Sequence, residues 1–166
     1  MVADLLQRLY DTDLAATLRE NALAFPWIEC LHVLAITLVV GSISVVDLRL
    51  LGLAWRDRSV RRVLRDVLPV TWTAFGLAAV SGFLMFASNA PHYARNTFLQ
   101  LKLALILVAG VNMALFHLWA RRSLPEWESA PATPLRAKVA GAVSLISWIG
   151  IVAAARWIGF TILNPS

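Results

Sequence analysis

The sequence predicts an all-α fold: an integral membrane four-helix bundle preceded by an N-terminal amphipathic surface helix. Hydrophobic residues make up 59% of the 166 positions, and the mean hydropathy is +0.69. Both values are high for a soluble domain. The apolar residues are concentrated in four runs, each long enough for the roughly 20 residues that a helix needs to cross a bilayer. We therefore divide the chain into an interfacial segment, residues 1–24, and a bundle, residues 25–166.

The first 24 residues are amphipathic and too polar to span a membrane. Apolar residues recur at helical spacing from Val2 to Leu9, and residues 11–13 offer N-caps for a second short helix. Such a segment lies along the membrane surface or packs on the bundle, and the sequence leaves both arrangements open. Because no basic stretch leads into an apolar core and a small-residue cleavage site, we expect this segment to be retained.

The four apolar runs predict four spanning helices. Proline suits the first turn of a helix, so we expect the first two to begin at Pro26 and near Pro69. The predicted spans are 26–53, 69–88, 97–120 and 136–162. They are joined by a basic loop, a short turn at 89–93 and a proline-rich connection at 125–134.

The basic residues predict the orientation in the membrane. Most flank the first and third connections: Arg56, Arg58, Arg61, Arg62, Arg65, Arg121, Arg122, Arg136 and Lys138. The second connection carries only Arg95. By the positive-inside rule the two basic connections are cytoplasmic, which puts both termini on the periplasmic side of an inner membrane. Charges confined to loops also do not form a face for nucleic acid.

Small residues predict close packing between helices. Ala74, Ala78 and Gly82 recur at four-residue spacing, and the fourth apolar run is rich in alanine, glycine and serine. Such faces suit a tight bundle, and also a homo-oligomer or a subunit of a membrane complex. The single cysteine, Cys30, excludes an intrachain disulfide.

Four ionisable residues share one predicted depth. An ionisable side chain inside a spanning helix costs several kcal/mol unless it is paired, so each needs a reason. Helical rise puts Glu29, His32, Lys102 and Arg156 roughly 4 to 10 Å below the outer surface. We expect them to point into the bundle. Either Glu29 pairs with Lys102 or Arg156 as a clasp between helices, or the surplus positive charge holds an anion such as a propionate or a quinone oxygen.

His32 is the candidate metal ligand of this outer group. A neutral imidazole can bind a haem iron, and haem b is the cofactor that we expect. His117 lies roughly 19 Å deeper, so it cannot share an iron with His32. Met85 and His92, near the outer end, are the candidates for the opposite axial position.

A second polar group is predicted near the cytoplasmic end. Asp47, Arg49 and His117 fall roughly 28 to 35 Å from the outer end, with Asn112 somewhat shallower. Asp47 and Arg49 would form an interfacial ion pair, and His117 would snorkel or be capped. We expect a mainly structural role for this group.

Several stretches have a familiar pattern: WIECLHVLAITLVVGSISVVDLRLLGL, RDRSVRRVLRDVLP, TWTAFGLAAVSGFLMF and FLQLKLALILVAGVNMALFHLWARR. Together they resemble an uncharacterised family of bacterial four-helix inner-membrane proteins. More remotely, residues 26–122 resemble the four-helix, oxygen-independent protoporphyrinogen oxidase family, in which a histidine and a lysine are tied to haem and tetrapyrrole handling. The matching positions are His32, Pro69, Gly76, Lys102 and His117. The membrane domain of copper-resistance and copper-import proteins shares His32, Gly41 and Lys102.

Three functions remain open on this basis. The first is a haem b-binding membrane protein in electron transfer or redox chemistry, with a quinone or a periplasmic protein as its redox partner. The second is binding or transport of a small solute, copper among the candidates, and the third is a non-catalytic accessory subunit. Whether the chain is an enzyme stays open. No arrangement typical of a hydrolytic triad or of a glycine-rich phosphate loop is present in the sequence.

Overall fold

The computed structural model describes residues 1–127 and 132–163, and this part of the chain is helical without any strand. The helices are α1 (Val2–Tyr10), α2 (Asp13–Glu20), α3 (Ala24–Leu51), α4 (Val60–Ser88), α5 (Ala90–Arg95), α6 (Thr97–Trp127) and α7 (Leu135–Leu163). Four of them, α3, α4, α6 and α7, are long and apolar enough to cross a membrane. The predicted all-α class with four spanning helices is confirmed.

The two short N-terminal helices differ in how they meet the bundle. α1 has no buried residue, whereas α2 buries Ala15 and Leu18 and contacts α4. Thr12 caps α2, because its side-chain oxygen accepts a hydrogen bond from the Ala15 backbone N–H at 3.3 Å. Arg19 donates to the Ser88 carbonyl at 3.1 Å and so ties α2 to the end of α4. Of the two arrangements left open, packing on the bundle applies to α2.

A glycine ends α3. Gly52 has φ 73°, the left-handed conformation that favours glycine, and its N–H donates to the Arg49 carbonyl. The next N–H, of Leu53, donates to the Leu48 carbonyl at 3.0 Å. The chain thereby satisfies helix-end carbonyls and turns toward the basic loop. α3 accordingly ends two residues before the predicted boundary.

α4 begins at Val60, well before the predicted start at Pro69, which lies inside the helix. The Ser59 side chain accepts a hydrogen bond from the Arg62 N–H at 3.4 Å and caps the new start. Val60 and Val63 are buried in an apolar cluster with residues of α3, α6 and α7. Burial of this added segment outweighs the backbone hydrogen bond that proline removes.

The second and third connections are also more helical than predicted. The short turn after α4 contains α5, and α6 continues past Ala120 to Trp127. The buried Trp127 ring stacks on Trp119 with centroids 5.4 Å apart, and its indole N–H donates to Ser123 at 3.2 Å. Residues 128–131, in the middle of the proline-rich connection, lie outside the described residues.

The spanning helices pack in the order α4, α3, α7, α6. Glycines allow close approach at two of the contacts. A Cβ added at Gly141 of α7 would lie 3.0 Å from the Asp47 carbonyl oxygen of α3, and one at Gly150 would lie 2.9 Å from Leu105 of α6. We call the end where α3 begins and α4 ends the N-terminal end of the bundle, and the end where α3 ends and α4 begins the loop end.

Large apolar side chains cover the outside of the spanning helices. Leu34, Leu107 and Ile146 are 64%, 68% and 70% exposed, and they belong to three different helices. Exposed apolar surface on this scale has a natural partner in lipid. Together with the four membrane-length helices, it makes the chain a multi-pass membrane protein in contact with a bilayer.

Candidate functional site

His32 lies half-buried on α3, against α4. Its Nδ1 is 3.0 Å from the hydroxyl oxygen of Ser81, which itself donates to the Leu77 carbonyl at 2.7 Å. When the single hydroxyl proton of Ser81 is used in that bond, Ser81 accepts from His32 and Nδ1 carries the hydrogen. The neutral imidazole then has its lone pair on Nε2, the atom that a metal ion would bind.

Gly82 provides the space that the His32 ring occupies. A Cβ added at Gly82 would lie only 2.9 Å from Cε1 of His32 and 3.4 Å from its Nδ1. Ser81 and Gly82 thus fix the ring together, one by a hydrogen bond and the other by lacking a side chain. The sequence had singled out Gly82 only for helix packing and had not singled out Ser81. No local pattern connects either residue with a histidine on another helix.

Lys102 is the one cation of the predicted outer group whose charge acts on His32. It is half-buried on α6, and its charge is close enough to act on the His32 imidazole. Its ammonium has no hydrogen-bond or ion-pair partner within residues 1–127 and 132–163. An unpaired, partly buried ammonium suits a negatively charged ligand group.

Arg156 does not point into the bundle as expected. It is exposed on α7, and its guanidinium carbon lies 4.7 Å from the centre of the Phe160 ring. Such a cation–π contact, one turn along the helix, keeps the side chain on the outer face. The depth of Arg156 follows from helical rise, but its direction depends on how α7 is rotated in the bundle.

Glu29 is exposed, and the interhelical clasp suggested for it is not formed. No ion pair joins Glu29 to Lys102 or Arg156 where the structure describes side chains. Its carboxylate lies instead near the phenol of Tyr93 on α5. Burial raises the pKa of Tyr93, and the negative charge of Glu29 raises it further.

The two candidates for a second axial ligand differ in burial. Met85 is half-buried on α4, one turn after Ser81 and therefore on the same face of that helix. His92 is exposed on α5. No group of three or more histidine, cysteine, aspartate or glutamate side chains that could hold a metal ion occurs among the described residues.

The polar group near the loop end surrounds a buried carboxyl group. Asp47 is 2% exposed, and its Oδ2 has no hydrogen-bond partner in the described part of the chain. It lines a cavity of about 40 Å³ together with Asn112, His117 and Ser144, among apolar side chains. Ser144 of α7 is near enough to interact with the carboxyl group.

Arg49 does not pair with Asp47, although only two residues separate them. Its side chain turns toward the loop, where Nε donates to the Arg58 carbonyl at 2.8 Å and a terminal nitrogen donates to Thr133 at 3.4 Å. The side chains at i and i+2 of a helix point in different directions, which explains the outcome. The predicted Asp47–Arg49 ion pair is absent from the described residues.

A second cavity, of about 370 Å³, opens at the N-terminal end beside α2. It is lined by Leu18, Arg19, Asn21, Ala22, Phe25, Ser88, Asn89 and Tyr93. Its polar groups are largely engaged in holding the N-terminal segment, Arg19 through its bonds to the Tyr10 and Ser88 carbonyls. This cavity includes neither His32 nor Lys102.

One family model matches the sequence over residues 22–161, and it is described as a family of unknown function, DUF6644. The match includes all four spanning helices and begins just after α2. No curated protein and no solved structure matches the chain. The remote resemblances to haem-handling and copper-handling proteins therefore gain no support from these comparisons.

Proposed function

The chain belongs to the DUF6644 family of unknown function, and we propose that it is a haem b-binding membrane protein with a role in electron transfer. In this proposal His32 would bind the haem iron, and the cofactor would lie in the half of the bundle at the N-terminal end. We further propose that this end faces the periplasm of a bacterial inner membrane. A quinone or a periplasmic protein would exchange electrons with the haem there.

The observation that carries the proposal is the orientation of His32. Metal-binding histidines generally donate their second ring nitrogen to a protein acceptor, which fixes the tautomer and the ring. His32 has this arrangement, because Nδ1–H is bound by Ser81 and Gly82 leaves room for the ring. The porphyrin nitrogens supply most of the iron's ligands, so a haem needs no cluster of protein ligands. A single oriented histidine such as His32 is therefore enough to hold the iron.

Lys102 supplies the charge that a haem propionate needs. Its ammonium is half-buried, unpaired within the described residues and close to His32. We assign it one propionate. We assign none to Arg156, whose guanidinium packs on Phe160. As a second residue that would hold the haem we favour Met85 over His92, because Met85 is half-buried on the α4 face that carries Ser81.

Bound haem b would supply one-electron chemistry through its iron. The residues of the chain would hold the haem: His32 would bind the iron, Ser81 would orient the imidazole, and Lys102 would balance the charge of a propionate. The exposed apolar faces of the helices would seat the protein in lipid, as a homo-oligomer or beside partner subunits.

An optical spectrum tests the proposal. The full chain is expressed with ample haem, purified in detergent and examined for a Soret band. We expect a band that is lost in His32→Ala and retained in His117→Ala, the matched change in the other half of the bundle. Absence of a band in the wild type, or a band that survives His32→Ala, would refute the proposal.

Two further variants test the geometry around His32. Gly82→Ala forces the ring to move, so we expect weaker haem binding, whereas Gly76→Ala on the same helix meets open space and should have no effect. Lys102→Met should weaken haem binding by about tenfold or more, since a hydrogen bond to a charged group is worth roughly 1.5–3 kcal/mol.

The alternatives give different results in the same preparation. Bound copper without haem would favour the copper hypothesis, with His32 and Met85 as its ligands. A protein without haem or metal that co-purifies stoichiometrically with other membrane proteins would favour the accessory subunit.

A further inference from the structure

Asp47 is a buried acid that has no counter-ion among the described residues. It is 2% exposed, and the α7 backbone packs on it so closely that a Cβ at Gly141 would lie 3.0 Å from the Asp47 carbonyl oxygen. The fully buried Oδ2 has no hydrogen-bond partner in the described residues. Keeping an ionised carboxylate in such a place costs several kcal/mol unless a cation or hydrogen-bond donors compensate it.

No described side chain of the four spanning helices supplies that cation. On α3, Arg49 is turned to the Arg58 carbonyl. On α4 the cavity is lined by Leu64 and Leu68, and on α7 by Ala140 and Ser144. On α6, His117 is the only titratable residue among the described side chains that line the cavity. The charged residues that α4 and α7 carry toward the loop end are exposed: Arg61, Arg62, Arg65, Asp66, Arg136 and Lys138.

The polar side chains around the cavity are partly engaged with the helix backbones. The Asn112 amide nitrogen donates one of its two hydrogens to the Ala140 carbonyl at 2.9 Å, and the amide oxygen can accept a further bond. His117 Nδ1 lies 2.9 Å from the Met113 carbonyl and must carry the hydrogen, which leaves Nε2 as an acceptor. The Ser144 hydroxyl donates to the Asp47 carboxyl group. Oδ2 remains without a donor in the described residues.

We propose that Asp47 binds a proton, and that this cavity at the loop end is a proton-binding site whose polar lining is Asn112, His117 and Ser144. A proton on the carboxyl group removes the uncompensated charge and turns the unpartnered Oδ2 into a donor toward the Asn112 oxygen or the His117 Nε2. The cavity of about 40 Å³ also has room for water, which can connect the carboxyl group to an acceptor that it does not reach directly. Chains of aspartate, histidine and water are typical of intramembrane proton sites.

An alkali ion fits the site less well. Hard cations take about six or more oxygen ligands, whereas the polar side chains that line this cavity offer oxygen at Asp47, Asn112 and Ser144 only. A proton, in contrast, needs only one carboxylate oxygen to bind to and one hydrogen-bond acceptor. The proposal is independent of haem at His32, which lies toward the other end of α3.

Infrared spectroscopy of the purified full chain tests the assignment. We expect the C=O stretching band of a protonated carboxylic acid at neutral pH, lost in Asp47→Asn and retained in Asp66→Asn, an exposed aspartate on α4. A wild-type spectrum without such a band, or a band unchanged by Asp47→Asn, would overturn the proposal. Asn resembles the protonated acid in shape and charge, so we expect this variant to fold.

Two additional measurements complete the test. Ser144→Ala keeps the carboxyl group but changes its surroundings, so it should shift the band without removing it; an unshifted band would contradict the proposed cavity. Thermal stability is compared in sodium, potassium and choline chloride at fixed pH. Stabilisation by sodium that is lost in Asp47→Asn would show that an alkali ion occupies the site, and would exclude the proton.

Discussion

His32 and His117 reach the same tautomer through different partners. His32 donates from Nδ1 to a serine hydroxyl of the neighbouring helix, whereas His117 has the Met113 carbonyl of its own helix 2.9 Å from Nδ1. In both residues Nε2 is left with a lone pair. What that lone pair can do depends on its surroundings: an unpaired ammonium lies near His32, and a buried carboxyl group shares a cavity with His117. Two residues of one type thus have different electrostatic surroundings.

Tyr93 provides a test of the electrostatics at the N-terminal end. Burial and the charge of Glu29 both raise the pKa of its phenol, so Glu29→Gln should lower that pKa. The chain has two tyrosines, and Tyr10→Phe leaves Tyr93 as the only phenol to follow by ultraviolet absorbance. Glu20→Gln, a similar change on α2, is the control. An identical titration curve for Glu29→Gln and its parent would contradict the assigned contact.

The raised pKa also has a consequence for stability. The unfolded state releases the tyrosine proton near the ordinary value of about 10, before the folded state does. The contribution of Tyr93 to the free energy of unfolding is therefore fully present below that pH and is lost as the pH rises through the raised value.

At the scale of the helices, the sequence predicted correctly that four spanning helices exist, but it predicted less well the residues at which they begin and end. The four apolar runs are long, so composition alone identified them. The prediction from Pro69 put the start of α4 too late in the sequence, because the burial of Val60 and Val63 depends on residues of three other helices. The same limit applies to the candidate site. Helical rise put Glu29, His32, Lys102 and Arg156 at one level, but only helix rotation, set by packing, decides that Lys102 lies near His32 and that Arg156 faces outward.

Gly141 lies where α7 approaches the backbone of α3 closely. In Gly141→Ala the new methyl group would meet the Asp47 backbone oxygen at 3.0 Å and Leu50 Cβ at 3.1 Å, and backbone cannot move as a flexible side chain does. We expect a loss of roughly 1–3 kcal/mol in the free energy of unfolding. Gly159→Ala on the same helix meets open space and should be neutral or stabilising by up to about 1 kcal/mol. Unfolding in detergent measures both, and equal effects would contradict the close approach.

At the scale of the whole molecule, the polar groups are divided between the two ends of the bundle. His32, Lys102 and Tyr93 belong to the N-terminal end, where α2 also packs, whereas Asp47 and His117 belong to the loop end. Apolar clusters that include Val39, Trp148 and Ile151 fill the region between them. The two sites are therefore separate, and a variant of one should leave the other unchanged.

Which end faces the cytoplasm decides what each site can exchange with its surroundings. The loop end carries the basic connections, so the positive-inside rule predicts that it is cytoplasmic. Two variants are made in a Cys30→Ala background. The His92→Cys variant should react with a membrane-impermeant maleimide on intact spheroplasts, whereas the Asp57→Cys variant should react only after permeabilisation. Both positions are exposed, His92 on α5 and Asp57 in the loop between α3 and α4, so access to solvent does not distinguish them. The opposite labelling pattern would turn the His32 site toward the cytoplasm and the Asp47 site toward the periplasm, which would remove the periplasmic redox partner from the proposed function while leaving both binding tests intact.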